Sequence, residues 1–306
     1  MLAPIVFYIG NMPDGKDLLA PFANVRRAHA VIAERDSFKS TLPPINQYRR
    51  TIREATMSHL HGKFVWFEHM SGNVAAARAF YDAQFGWKSD GVPMGAQTYH
   101  MIQNGAEGIG GFRAVMPGMS SRWVSYLSVA DVDAVARSVS LSGGKVLMPP
   151  TDFPPVGRGA GLTDPLGAQF SIWQAAQGDR ADVASVAIGD WYWNELWTPD
   201  PARALGFYKG VFGYTEDAMD MGPGGTYYVL KKDGVPRAGL AKSANLNAKS
   251  MWLPYVRVAN CDAAAAKAKG LGANVLSPPL DIPDVGRFAV LCDPTGVAVA
   301  IIEGVR

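Results

Sequence analysis

Residues 66–87 read WFEHMSGNVAAARAFYDAQFGW, and residues 193–214 read WNELWTPDPARALGFYKGVFGY. At this shift of 127 positions, eight of 22 residues are identical, among them Trp66/Trp193, Glu68/Glu195, Phe80/Phe207, Tyr81/Tyr208 and Gly86/Gly213. A second match follows: PPTDFPPVGRGAGLTDPLG at 149–167 and PPLDIPDVGRFAVLCDPTG at 278–296 share twelve of 19 positions at a shift of 129. Unrelated segments do not agree to that extent. A period near 128 is too long for a solenoid unit and has the size of a small domain. The chain therefore reads as a tandem duplication, with copies at 60–176 and 187–304 joined by the polar, glycine-containing linker 177–186.

Composition agrees with two globular domains. The 306 residues are 48% apolar, which excludes a largely disordered chain. Lys and Arg total 29 against 27 Asp and Glu, a net charge of +2, so nucleic acid or an acidic membrane is not an expected partner. No uninterrupted apolar run is long enough to span a bilayer. Cys261 and Cys292 are too few for a disulfide framework or a cysteine-rich zinc site, and both are unmatched in the first copy. They read as small core fillers. A cytoplasmic location and a monomer or homodimer are expected.

Each copy gives the same coarse α+β reading. Aromatic strands at 64–70 and 191–197 precede helices capped by Asn73, and by Asp200 with Pro201 at the first helical position. Gly86 and Gly213 stop those helices. Hairpin strands (98–102 with 111–115; 226–231 with 238–241), a further strand (122–129; 251–258), a second helix and two closing strands follow in each copy. Each copy is thus βαβββ followed by further elements.

The run of strand, helix ending in Phe-Tyr-x₃-Phe-Gly-Trp/Tyr, Val-Gly-Arg, and Asp-Pro-x-Gly before a final strand resembles the vicinal oxygen chelate superfamily. That superfamily contains glyoxalase I, bleomycin-resistance proteins and extradiol dioxygenases. The resemblance spans both copies and implies two tandem glyoxalase-like modules, in which paired βαβββ units form open, cup-like barrels around a metal and a small ligand. It also implies where the metal ligands would stand: seven residues before each helix cap, and four after the glycine of Asp-Pro-x-Gly. Those positions hold Trp66, Trp193, Ser171 and Ala300. Tryptophan and alanine do not bind divalent cations and a lone serine is a poor ligand, so no metal and no cofactor are expected.

If the implied ligand positions face the cup, strand alternation adds Glu68 and Met70 to Trp66, and Trp191, Glu195 and Trp197 to Trp193. Gln169, Ser171 and Trp173 on the last strand of the first copy point inward too. A carboxylate among tryptophans loses hydration and suits acid–base work near neutral pH, making Glu68 and Glu195 candidate catalytic residues. Equally, each could accept indole or backbone hydrogen bonds and only fix the core. Arg158 and Arg287, each in a Pro/Gly-rich loop, could bind a ligand carboxylate or phosphate, or pair with Asp152 and Asp281, or with Asp164 and Asp293. His69 falls on the opposite strand face from Glu68, toward core or helix. His59 and His61 form a His-x-His pair without visible partners.

Residues 1–57 have no counterpart in the repeat and carry a net charge of +3. Met57 offers a natural protein start, so 1–56 reads as a poorly ordered extension or an upstream over-extension of the gene. Two functions follow. One is an enzyme acting on a small, apolar or aromatic metabolite without the usual metal ligands, with lyase, isomerase or hydroxylase-like chemistry. The other is a protein that sequesters such a molecule by stacking it on tryptophans.

Overall fold

The computed structural model describes residues 59–94, 97–116, 118–243 and 249–305. The N-terminal extension expected at 1–57 and its Met57 start lie outside the described residues. The first copy runs β1 (Phe64–Ser71), α1 (Val74–Phe85), β2 (Lys88–Met94), β3 (Gln97–Asn104), β4 (Glu107–Ala114), β5 (Arg122–Ser128), α2 (Val132–Leu141), β6 (Lys145–Phe153), β7 (Gly157–Thr163) and β8 (Gln169–Ala175). The second runs β9 (Trp191–Thr198), α3 (Pro201–Phe212), β10 (Thr215–Asp220), β11 (Thr226–Lys232), β12 (Val235–Lys242), β13 (Met251–Arg257), α4 (Cys261–Gly270), β14 (Asn274–Ile282), β15 (Gly286–Cys292) and β16 (Ala298–Gly304).

Each copy forms one open eight-stranded sheet, in the orders β2-β3-β4-β1-β5-β8-β7-β6 and β10-β11-β12-β9-β13-β16-β15-β14. The elements that the coarse reading left as a remainder form a second βαβββ unit, as the paired units implied by the resemblance require. A copy is two complete βαβββ units, joined through the antiparallel β1–β5 or β9–β13 pair. The sequence pattern passes over β2 (KSDGVPM) and β10 (TEDAMD), and undercounts the strands around β6 (KVLMPPTDF) and β14 (NVLSPPLDI). All four are sheet edges, where only one side needs a ladder, so charges and prolines are tolerated and hydrophobic alternation is lost.

The first helix of each copy starts and stops as its sequence dictates. The Asn73 and Asp200 side chains accept from the Ala76 and Arg203 amides, each at 3.1 Å. Gly86 and Gly213 end the helices at φ 74° and 67°, where a Cβ would be strained.

The helices do not pack on their own sheets alone. One core joins Phe67, Phe80 and Tyr81 of the first copy to Cys261, Ala268, Leu291 and Ile301 of the second. Another joins Val132, Leu162 and Phe170 to Phe207, Tyr208 and Leu240. With its helix face consumed by this shared core, each sheet leaves its opposite face uncovered by helices.

Candidate functional site

On the face turned from the helices, β1 presents Trp66, Glu68 and Met70. Its neighbours place Gly111 and Arg113 on one side, and Val124 and Tyr126 on the other. Ser171 pairs with Tyr126, and Trp173 packs edge-on against the Tyr126 ring at 6.2 Å. Gln169 lies two residues earlier on the same strand face. In the second copy the corresponding face carries Trp193, Glu195 and Trp197 beside Leu253 and Tyr255, with Ala300 opposite Tyr255.

Trp191 departs from the expected alternation. A bulge at Tyr192 shifts the register between Tyr255 and Val256. This turns the Trp191 ring to the other face, where it stacks on Phe67 at 4.3 Å and donates its Nε1 to the Ile109 carbonyl.

Both cups contain one duplicated hydrogen-bond frame. Trp66 Nε1 donates to the Tyr99 hydroxyl at 2.8 Å, and Tyr126 donates its hydroxyl to Glu68 Oε2 at 3.0 Å. Trp193 Nε1 donates to Tyr227 at 2.9 Å, and the Tyr255 hydroxyl reaches Glu195 Oε1 at 3.2 Å. Burial raises the pKa of all four phenols, keeping them protonated and available as donors. Gly111 and Gly239 sit directly beneath Tyr99 and Tyr227, where any Cβ would collide with the phenol. The four tyrosines escaped the sequence reading although their pairing was visible: Tyr99/Tyr227 and Tyr126/Tyr255 are retained at shifts of 128 and 129.

The two carboxylates differ in charge balance. Glu68 forms an ion pair with Arg113, whose Nε lies 2.5 Å from Oε2. The equivalent of Arg113 is Ala241, and among the described residues no cation pairs with Glu195. Glu195 Oε1 instead accepts from Trp197 Nε1 and Tyr255, and the side chain is 8% exposed. Burial raises its pKa, against the opposing effect of the hydrogen bonds from Trp197, Tyr227 and Tyr255.

Arg158 and Arg287 stand apart from these frames. Arg158 grips Asp133 through two bonds of 2.9 Å and Asp152 through one of 2.7 Å. Arg287 binds Asp262 and Asp281 in the same way. Each arginine ties the β6–β7 or β14–β15 hairpin to the first turn of the helix that precedes it, α2 or α4. Asp164 and Asp293 are engaged elsewhere, accepting the backbone amides of their own turns. His69 is fully buried on the helix side and meets Asp293 Oδ2 at 2.9 Å, across the seam between copies. His59 contacts the Ala175 carbonyl at 2.9 Å. Both cysteines are free thiols, and burial pushes Cys261 up to about 11, which leaves it unreactive near neutral pH.

The positions at which the resemblance implies metal ligands do not fit a divalent cation. Trp66 and Trp193 offer N–H donors already committed to tyrosines, Ala300 offers no donor atom, and Ser171 is a single buried hydroxyl. Among the described residues, no group of three or more His, Cys, Asp and Glu side chains is placed to hold a metal ion. No helix among them is long and apolar enough to cross a membrane.

Comparison with known proteins adds relatives. A family model described as a glyoxalase-like domain matches residues 194–302. The chain is 37% identical over 244 residues to "Putative glyoxylase CFP32" of Mycobacterium bovis (strain ATCC BAA-935 / AF2122/97), covering 78% of this chain and 93% of that one. It is 33% identical over 260 residues to the anthracycline biosynthesis protein DauV of Streptomyces sp. (strain C5), covering 79% and 93%. Among solved structures, the Mn(II)-bound glyoxalase from Novosphingobium aromaticivorans superposes with a TM-score of 0.55 at 18% identity, covering 80% of this chain and 82% of that one.

Proposed function

The chain belongs to the vicinal oxygen chelate superfamily, as two tandem glyoxalase-like modules, and on that basis we propose that its second cup binds a small planar aromatic or apolar molecule. In this reading the cup works without a resident divalent cation, and Glu195 exchanges a proton with the bound molecule. The observation that carries the reading is the setting of Glu195, a buried carboxyl among Trp193, Trp197, Tyr227 and Tyr255 with its pKa raised and no paired cation among the described residues. A carboxyl raised above its ordinary range by burial is a stronger base, once ionised, than a solvated glutamate. Glu68 is the weaker candidate because its charge is balanced by Arg113.

The ligand class rests on the walls. Half-buried Trp193 and Trp197 offer faces for stacking, and Leu253, Val290, Ala300 and Ile302 make the floor apolar. The name of the Streptomyces relative, an anthracycline biosynthesis protein, agrees with a planar aromatic ligand. A second reading, sequestration without turnover, draws on Glu195 Oε1 being engaged by both Trp197 and Tyr255, as in a fixed core.

A panel of naphthols, hydroxyquinones and aromatic ketones, titrated by tryptophan fluorescence and followed by mass spectrometry in deuterated water, separates the two. Proton exchange into a bound probe that disappears in Glu195→Gln, with affinity kept within about threefold, supports the catalytic reading. Trp197→Ala is expected to weaken binding about tenfold. Binding without exchange in the wild type leaves sequestration, and binding insensitive to Trp197→Ala removes the second cup from both readings.

A further inference from the structure

A groove of about 350 Å³ lies at the seam between the copies, along the start of β9. Asn194 falls between Trp193 and Glu195 in sequence, so its side chain points to the other strand face. There it meets the groove, whose aromatic residues are Phe64, Phe67, Trp191, Tyr192 and Trp193. The duplication makes Asn194 the counterpart of Phe67, so an amide has replaced a phenyl ring on one side of a pseudo-symmetric seam.

Two buried donors in this groove have no acceptor among the described residues. Asn194 is 2% exposed; its Oδ1 is met by Ser125 Oγ at 3.3 Å, while its Nδ2 is unpartnered. The Arg237 side chain is 8% exposed; one terminal nitrogen binds Asp182 Oδ1 at 2.7 Å, while its Nε is unpartnered. Lys63 draws on the same Asp182 oxygen at 3.1 Å, so two cations on the groove wall share one carboxylate. Buried N–H groups are almost always satisfied, and two unmet donors in an aromatic-walled space call for an acceptor-bearing occupant.

We infer that this groove is a second ligand site, distinct from the cups, for a small aromatic carboxylate. The ring lies against Phe64 and Trp191, and the carboxylate oxygens accept from Arg237 Nε and Asn194 Nδ2. The volume suits a one- or two-ring molecule.

Calorimetric titration of the full chain with 2-naphthoate tests this, with 2-naphthalenemethanol as the uncharged control. The wild type binds 2-naphthoate saturably at this site, and the alcohol there at least about tenfold more weakly. Arg237→Lys keeps a cation for Asp182 but lacks the Nε donor, and weakens 2-naphthoate about tenfold. Asn194→Ser does the same and carries the test if Arg237→Lys fails to fold. Trp197→Ala, in the second cup, leaves the affinity unchanged. The assignment is overturned by the absence of saturable binding at millimolar 2-naphthoate. It is also overturned if the folded Arg237 or Asn194 variant binds like wild type, or if Trp197→Ala weakens binding as much as they do, which places the molecule in the cup.

Discussion

Glu68 and Glu195 descend from one position and keep the same tyrosine frame, yet a single neighbour separates their chemistry. Arg113 stands beside Glu68, and Ala241 holds the equivalent place beside Glu195. Without a cation, burial dominates at Glu195 and its carboxyl holds a proton to higher pH than in the unfolded chain. The consequence for stability has a definite sign. Below the ordinary glutamate value of 4.5 both states are protonated and the contribution is present in full. As pH rises toward the folded-state value, the unfolded chain releases its proton first and the contribution is lost. Glu195→Gln removes this dependence. Urea unfolding at a series of pH values is expected to show the variant gaining on the wild type as pH rises above about 4.5, with a constant difference below it. An offset independent of pH would show that the folded carboxyl titrates normally.

At the scale of strands and helices, what could be read from the chain depended on how completely an element is buried. The two-sided strands β1 and β9, and the helices α1 and α3 with their Asn73 and Asp200 caps, follow from alternation, capping and glycine stops. The edge strands β2, β6, β10 and β14 do not, because an edge with one partner leaves half its residues free of hydrophobic selection. The bulge at Tyr192 could not be foreseen either, since one extra residue reverses the face of Trp191 relative to Trp193 while leaving composition unchanged. Within the cups, Glu68, Glu195 and the tryptophans were legible as inward positions. Arg113 was not, because it has no duplicate. Glycines also separate by element. Gly239 in β12 faces Tyr227 and Trp193, so Gly239→Ala is expected to cost about 1–3 kcal/mol by overpacking and to loosen the frame around Glu195. Gly210 in α3 has nothing within 4 Å of an added Cβ, and Gly210→Ala is expected to stabilise by about 0.5–1 kcal/mol. Guanidinium denaturation of both variants checks the opposite signs, and a destabilised Gly210→Ala would contradict the open space.

At the scale of the molecule, the copies are bound to each other through buried polar relays as well as apolar contact. Trp252 Nε1 donates to the Tyr208 hydroxyl at 3.0 Å, and that hydroxyl donates to Asp164 Oδ2 of the first copy at 3.3 Å. Its counterpart runs from Trp123 Nε1 to Tyr81 at 2.9 Å, with Asp293 of the second copy beside Tyr81 and paired to His69. A carboxylate buried this deeply is tolerated because its oxygens are met by turn amides and a partner from the other copy; removing that partner leaves the charge under-solvated. Tyr208→Phe is therefore expected to cost about 1–3 kcal/mol although its ring packing is unchanged. Since both cores contain residues of both copies, the loss belongs to the whole chain and not to one module. The eight tryptophans divide evenly between the copies, so fluorescence samples both. Wild type and Tyr208→Phe are each expected to give one unfolding transition, coincident by fluorescence and far-UV circular dichroism. The isolated segment 187–304, with the faces of Tyr208 and Leu291 stripped of their partners, is expected to show no cooperative transition. Two resolved transitions in the full chain, or cooperative unfolding of the excised segment, would mean that the shared cores are accessory to modules stable on their own.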